Sequence, residues 1–161
     1  MSDSDRAVLS VALQLLARRD FSTALLQRRL VRKGHSAQHA AAACERCVEL
    51  GYLDDRTYGV GRAADMLQRK PSGRRALLHD LRREGLPRTM TEQIAAEVYG
   101  EAGGEQVVLG EALRRWIARR GDPTDWPALK RCADHLGRRG FAASAIQAAL
   151  SPWLDEVGRS A

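Results

Sequence analysis

Three sets of side chains have types and spacings that could carry chemistry. Cys44-Glu45-Arg46-Cys47 is a C-x-x-C with His35 and His39 just upstream. Zinc-site spacing leaves a long loop between ligand pairs, and here only four residues separate His39 from Cys44. A thioredoxin-type redox role needs a strand–helix–strand setting, which this segment does not offer. On a helix the two cysteines share one face, so they read as small buried hydrophobes. Asp54-Asp55 is the second set. Adjacent residues diverge on a helix, and their place after Gly51-Tyr52-Leu53 suits an N-cap and a first-turn acid better than a catalytic pair. The sequence has no nucleophile–base grouping, phosphate-cradling glycine loop or H-E-x-x-H. No catalytic residue, metal ligand or cofactor site is therefore assigned, and the chain is expected not to be an enzyme.

The third set is basic. Between Arg62 and Arg88 there are eight cations and three acids, a net of +5 in a chain whose total is +6. Tyr58, Arg62 and Arg69 share a stripe at helical spacing, and Lys70, Arg74, Arg75, Arg82 and Arg83 follow, the last two with Arg75 lying off the Leu77/Leu81 face. Arg28, Arg32 and Lys33 add charge in the first third of the chain, and Arg114 and Arg115 in the last. These thirteen residues are the candidate partner-binding set. A sequence pI of about 9.8 points to an acidic partner, whether nucleic acid, anionic membrane or acidic protein surface. Only 3 of the 26 cations are lysine, a bias that fits a GC-rich genome, so the choice of guanidinium says little about function. The aromatics are not interleaved with the cations, which argues against a base-stacking platform for single strands.

The elements that must position these residues are helices. The N-terminal stretch Met1-Ser2-Asp3-Ser4-Asp5 is polar and acidic, unlike a secretory leader, and the most apolar stretch, Val8 to Ala17, is too short for a bilayer. Three cysteines, an odd number, suit reduced thiols in a cytoplasm. Nearly every segment carries the helical period. Val8, Ala12, Leu15 and Leu16 stripe a first helix over 5–19; Ser22, Ser36 and Asp54 cap the next three. Ser72 opens a fifth, Thr89-Met90-Thr91-Glu92 has capping-box spacing for a sixth that Gly100 closes, and Pro87 offers it an earlier start. A seventh striped by Leu109, Leu113, Trp116 and Ile117 and ending at Gly121, an eighth from Asp125 to Arg139 and a ninth from Ala142 to Leu150 complete the set. The expected fold class is all-α.

The helices also repeat. Leu26-x3-Leu30-x3-Gly34 recurs as Leu77-x3-Leu81-x3-Gly85 and as Cys132-x3-Leu136-x3-Gly140, with shifts of 51 and 55 residues. Three tandem three-helix repeats follow, at 1–51, 52–104 and 105–161, stacked into an elongated, curved array.

These motifs resemble a known family. Leu16-Ala17-Arg18-Arg19-Asp20-Phe21-Ser22-x2-Leu25-Leu26-x3-Leu30-x2-Lys33-Gly34 is similar to the first repeat of the RecX regulatory proteins. Gly51-Tyr52-Leu53-Asp54-Asp55-x2-Tyr58 looks like that family's most recognisable stretch, and Gly73-x3-Leu77-x3-Leu81-x3-Gly85 resembles its second repeat. Leu136-Gly137-Arg138-Arg139-Gly140-Phe141-x4-Ile146-x3-Leu150 is similar to its ending. Phe21 is bulkier than the family's usual residue, Ser22-Thr23-Ala24 lacks an acid often found there, and Leu86-Pro87 replaces a commoner Gly-Ile or Gly-Val.

The resemblance implies a modulator of RecA recombinase that lodges in the helical groove of the RecA–single-stranded DNA filament. There it would inhibit ATP hydrolysis, strand exchange and co-protease activity, and so modulate recombination, DNA repair and the SOS response. The implied partner is RecA, chiefly as the filament, with weak phosphate contacts to DNA, no membrane, and a monomeric chain. The alternative from another class is direct DNA binding by trihelical units resembling helix-turn-helix modules, which predicts tight, steeply salt-dependent binding to naked DNA.

Overall fold

The computed structural model describes residues 3–160; Met1 and Ser2 of the polar N-terminal stretch, and Ala161 at the end of the third repeat, lie outside the described residues. Among the described residues nine α-helices follow one another without a strand: α1 (Asp3–Leu16), α2 (Thr23–Arg32), α3 (Ala37–Glu49), α4 (Asp55–Arg69), α5 (Arg74–Arg83), α6 (Arg88–Glu101), α7 (Glu105–Arg120), α8 (Trp126–Arg138) and α9 (Ala143–Ser160). The all-α class read from the sequence is the class found.

The repeated pattern folds into a repeated helix ending. Leu26 and Leu30 of α2, Leu77 and Leu81 of α5, and Cys132 and Leu136 of α8 are all fully buried. Each following glycine has positive φ, +98° at Gly34, +85° at Gly85 and +89° at Gly140. The amide after each glycine donates to the carbonyl of the second leucine, His35 to Leu30, Leu86 to Leu81 and Phe141 to Leu136, all at 3.3 Å. This left-handed closure satisfies the orphan carbonyls of the last turn, and glycine enters it without a Cβ penalty.

Ser22, Ser36, Asp54 and Asp125 accept hydrogen bonds from Leu25, His39, Thr57 and Ala128 amides, as N-caps do. Five helix limits differ from the sequence reading. The first helix stops at Leu16 rather than 19, where the amides of Arg18 and Arg19 both turn back to the Leu15 carbonyl. Ser72 does not open α5; its buried hydroxyl donates to the Lys70 carbonyl, and α5 starts at Arg74. The capping box at Thr89 does not form, because Pro87 starts α6 earlier and Thr91 lies inside it, donating to the Arg88 carbonyl. The helix runs past Gly100 to a left-handed Gly103. The last helix continues through Pro152, whose missing N–H would orphan the Ala148 carbonyl; the Ser151 hydroxyl donates to that carbonyl at 2.9 Å.

The described residues divide into two compact units, one of residues 3–62 with Leu81–Thr91 and the other of Ala63–Asp80 with residues 92–160. In the first, α1 and α2 pack on α3, whose buried face of Ala40, Ala43, Cys44 and Cys47 is small enough to admit both. In the second, α8 packs on α9 and α7 on both, around Leu113, Trp116, Leu136, Phe141 and Ile146.

Each unit contains the same kind of junction. In the first, the turn after α5 seats on the start of α2: Ser22 Oγ donates to the Glu84 carbonyl at 2.5 Å, and the Asp55 carboxylate accepts the Thr23 amide at 2.7 Å. In the second, the turn after α8 seats on the start of α5: the Gly73 amide donates to the Arg139 carbonyl at 2.8 Å, and the Glu105 carboxylate accepts the Arg74 amide at 2.9 Å. Asp55 is thus not a first-turn acid for its own helix alone. It caps another helix, 32 positions away.

Candidate interaction surface

The central basic residues sit on α4 and α5, but several face partners within the chain. Tyr58 Oη donates to Glu84 Oε2 at 2.5 Å, and Arg62 Nη2 lies 3.3 Å from Oε1 of the same carboxylate. The Glu84 side chain is only 15% exposed, so this group is part of the first junction. Burial, then the hydrogen bond to Glu84 and its charge, push the Tyr58 phenol up to about 12, with Arg62 opposing. Arg74 pairs with Glu92, Arg69 pairs with Asp65 one helical turn away at 3.0 Å, and Arg75 Nη2 donates to the Gly137 carbonyl at 3.0 Å. Arg114 and Arg115 both hold Glu111, whose carboxyl is drawn below its ordinary value mainly by the hydrogen bond from Arg115. Arg115 also donates to the carbonyls of Gln68 and Arg69, each at 3.1 Å. Lys70, Arg82 and Arg83 are exposed at helix ends.

The first unit gathers cations differently. The stretch from Phe21 to Cys44 contains no Asp or Glu. Arg28 and Arg32 join Arg18, Arg19 and Arg29 around a groove of about 970 Å³ floored by Leu15, Leu25 and Val31. The Arg19 guanidinium lies 4.2 Å over the Phe21 ring. Lys33, the C-cap of α2, is exposed beside them. The structure therefore brings Arg28 and Arg32 together with arginines from the turn after α1, a grouping that spacing within α2 does not reveal.

A second grouping was not singled out from the sequence. Arg119 and Arg120 end α7, and His135, Arg138 and Arg139 end α8. Burial, then Arg139, Arg119, Arg138 and Arg120, hold the His135 imidazole below its ordinary value. The available signal was the repeat alignment, which sets Arg139 before Gly140 where Glu84 stands before Gly85.

Cys44 and Cys47 are buried on the inner face of α3, as read from the sequence. Burial first, and then Cys47 and nearby carboxylates, push the Cys44 thiol up to about 12, which keeps it protonated and unreactive. No helix among the described residues is long and apolar enough to cross a membrane.

Comparison with known proteins follows the same lines. The family model for the first three-helix domain of RecX matches residues 9–47. The regulatory protein RecX of Trichlorobacter lovleyi is 33% identical over 138 residues, covering 84% of this chain and 88% of that protein. That of Prosthecochloris aestuarii is 31% identical over 155 residues, covering 96% and 99%. The crystal structure of RecX from Lactobacillus salivarius matches with a TM-score of 0.79 over 95% of this chain and 98% of that one, at 12% identity, a likeness of fold. Relatives 33% and 31% identical, matched over 84% and 96% of the chain, place it in the RecX family of regulatory proteins.

Proposed function

We propose that this chain is a cytoplasmic, non-enzymatic regulator of RecA recombinase. It acts as a monomer, seats in the helical groove of the RecA–single-stranded DNA filament, and restrains ATP hydrolysis, strand exchange and co-protease activity. Recombination, DNA repair and the SOS response are thereby held in check. The observation that carries this reading is the similarity to regulatory RecX proteins over 96% of the chain and 99% of the relative. Supporting it is the distribution of cations over every part of the chain, from the groove arginines Arg28 and Arg32 to the exposed Arg75, Arg82 and Arg83. A surface of that kind suits an acidic, extended partner. The sequence repeats 1–51, 52–104 and 105–161 are the proposed units of engagement.

Co-sedimentation tests the reading. The chain is expected to pellet with RecA–single-stranded DNA filaments formed with ATP at concentrations where naked single strands do not retain it. Equal, steeply salt-dependent retention by naked DNA would instead assign direct DNA binding, since each neutralised phosphate releases a counterion. No retention by filaments would remove RecA as the partner.

A further inference from the structure

The ends of α7 and α8 concentrate positive charge that the fold neutralises only in part. His135 is surrounded by Arg119, Arg120, Arg138 and Arg139. Arg139 Nε is buried and donates to no acceptor among the described residues. Burial, then the neighbouring charges of Arg119 and Arg115, lower the proton affinity of the Arg139 guanidinium itself. Arg115 has Glu111 as a partner and Arg138 lies in the field of Asp134 one turn back on α8, but no ion pair joins Arg119, Arg120 or Arg139 to a carboxylate among the described residues. Two helix C-termini together supply about one negative charge. With Asp134 counted, four guanidiniums leave an excess of about two positive charges.

The first junction displays the closed form of such a place. There Glu84, one residue before Gly85, puts a carboxylate between Tyr58 and Arg62. The second junction is built alike in its backbone, with Arg139 one residue before Gly140 and its carbonyl bound by Gly73. A cation thus occupies the position of the neutralising acid, among other cations. The buried Arg139 Nε is thereby left with a donor to offer an external acceptor.

We propose that the ends of α7 and α8 form a phosphate-class oxyanion site, with the ligand's oxygens standing in for the carboxylate that Glu84 provides in the first junction. Guanidinium forks match phosphate oxygens bidentately, and a tetrahedral group with several acceptors and up to two charges serves more than one fork. A single carboxylate has two oxygens and one charge. The same chemistry is offered by a nucleic-acid backbone or by a free polyphosphate. The proposal stands whether or not the chain acts on RecA.

His135 is a built-in reporter, because an anion among the guanidiniums stabilises the imidazolium. Its midpoint is followed by NMR in the full chain at fixed ionic strength, alone and with tripolyphosphate, a single-stranded dT oligonucleotide, or a polyglutamate peptide. Tripolyphosphate is expected to raise the midpoint saturably. The double variant R119Q/R138Q, both positions exposed, is expected to bind about tenfold more weakly. A matching rise with the oligonucleotide assigns the backbone as source, and a rise with tripolyphosphate alone assigns a free phosphate. A midpoint that no phosphate probe moves overturns the proposal, as does an equal response to polyglutamate, which would mark an acidic protein partner. The wild-type titration decides this even where the variant does not fold.

Discussion

Gly140 seats on Ala76 so closely that a Cβ built at position 140 would stand 2.5 Å from the Ala76 Cβ and 2.5 Å from its amide nitrogen. This contact fixes the turn after α8 on the start of α5, and Gly85 makes the equivalent approach to Ala24 at 2.4 Å.

Gly140→Ala is therefore expected to destabilise in two ways at once, through the left-handed backbone at φ +89° and through a clash that includes main-chain atoms. Together these amount to about 2–4 kcal/mol. Gly34→Ala is the control, since its φ is +98° but no atom lies within 4 Å of the added Cβ. It should lose only about 1 kcal/mol. Urea denaturation of the two variants measures the difference; equal losses would show that backbone conformation alone demands glycine at 140.

Alkaline titration reports on the Tyr58–Glu84 contact. The folded phenol titrates at about 12, above its ordinary value near 10, so the neutral form favours the fold. That contribution is complete below pH 10 and is lost as pH rises through about 12. Absorbance at the phenolate band should show a step near pH 12 that Tyr58→Phe lacks, leaving only the still later rise of Tyr99, whose phenol burial pushes up further. Glu84→Gln should bring the midpoint down without restoring the ordinary value, because burial is the larger cause.

Acid sensitivity is expected from His135. Its folded-state value is depressed, so below the unfolded value of about 6.5 the unfolded chain takes up the proton more readily. Stability should fall as pH drops through that value. His135→Gln should flatten the dependence measured by urea midpoints between about pH 7.5 and 5.5. An unchanged slope in that variant would assign the acid sensitivity to other groups.

For the regulatory role, the triple charge reversal R75E/R82E/R83E is expected to weaken inhibition of the RecA filament ATPase by about tenfold or more while leaving the helical circular dichroism intact. All three side chains are exposed. Full inhibition by the folded triple variant would move the docking surface elsewhere, first to the arginine groove around Arg28 and Arg32.

Helix identity and most helix ends were legible in the sequence because they depend on neighbours a few positions apart. Ser22, Ser36, Asp54 and Asp125 cap amides three residues on, and Gly34, Gly85 and Gly140 close helices through bonds to the preceding turn. The misplaced limits of α5 and α6 come from competing local partners. Ser72 had the Lys70 carbonyl as a nearer acceptor, and Pro87 pre-set the backbone before Thr89. Continuation through Pro152 depended on a hydroxyl one residue away reaching the orphaned carbonyl, a rescue that helix propensity does not anticipate.

The candidate surface was legible only as a composition. Residue types and counts identified the basic stretch from Arg62 to Arg88, but not which of its charges remain available. Glu84 accepts the Tyr58 hydroxyl and neutralises Arg62 from 26 and 22 positions away, and Glu92 meets Arg74 from 18. The five arginines of the first groove come from α2 and from the turn that follows α1. The sequence by itself determined nine helices, three repeated endings and the positive total, all set by local bonding or by counting. The tertiary structure alone decided which cations are neutralised and which stand together, because ion pairing depends on distances of 3–4 Å between side chains far apart along the chain.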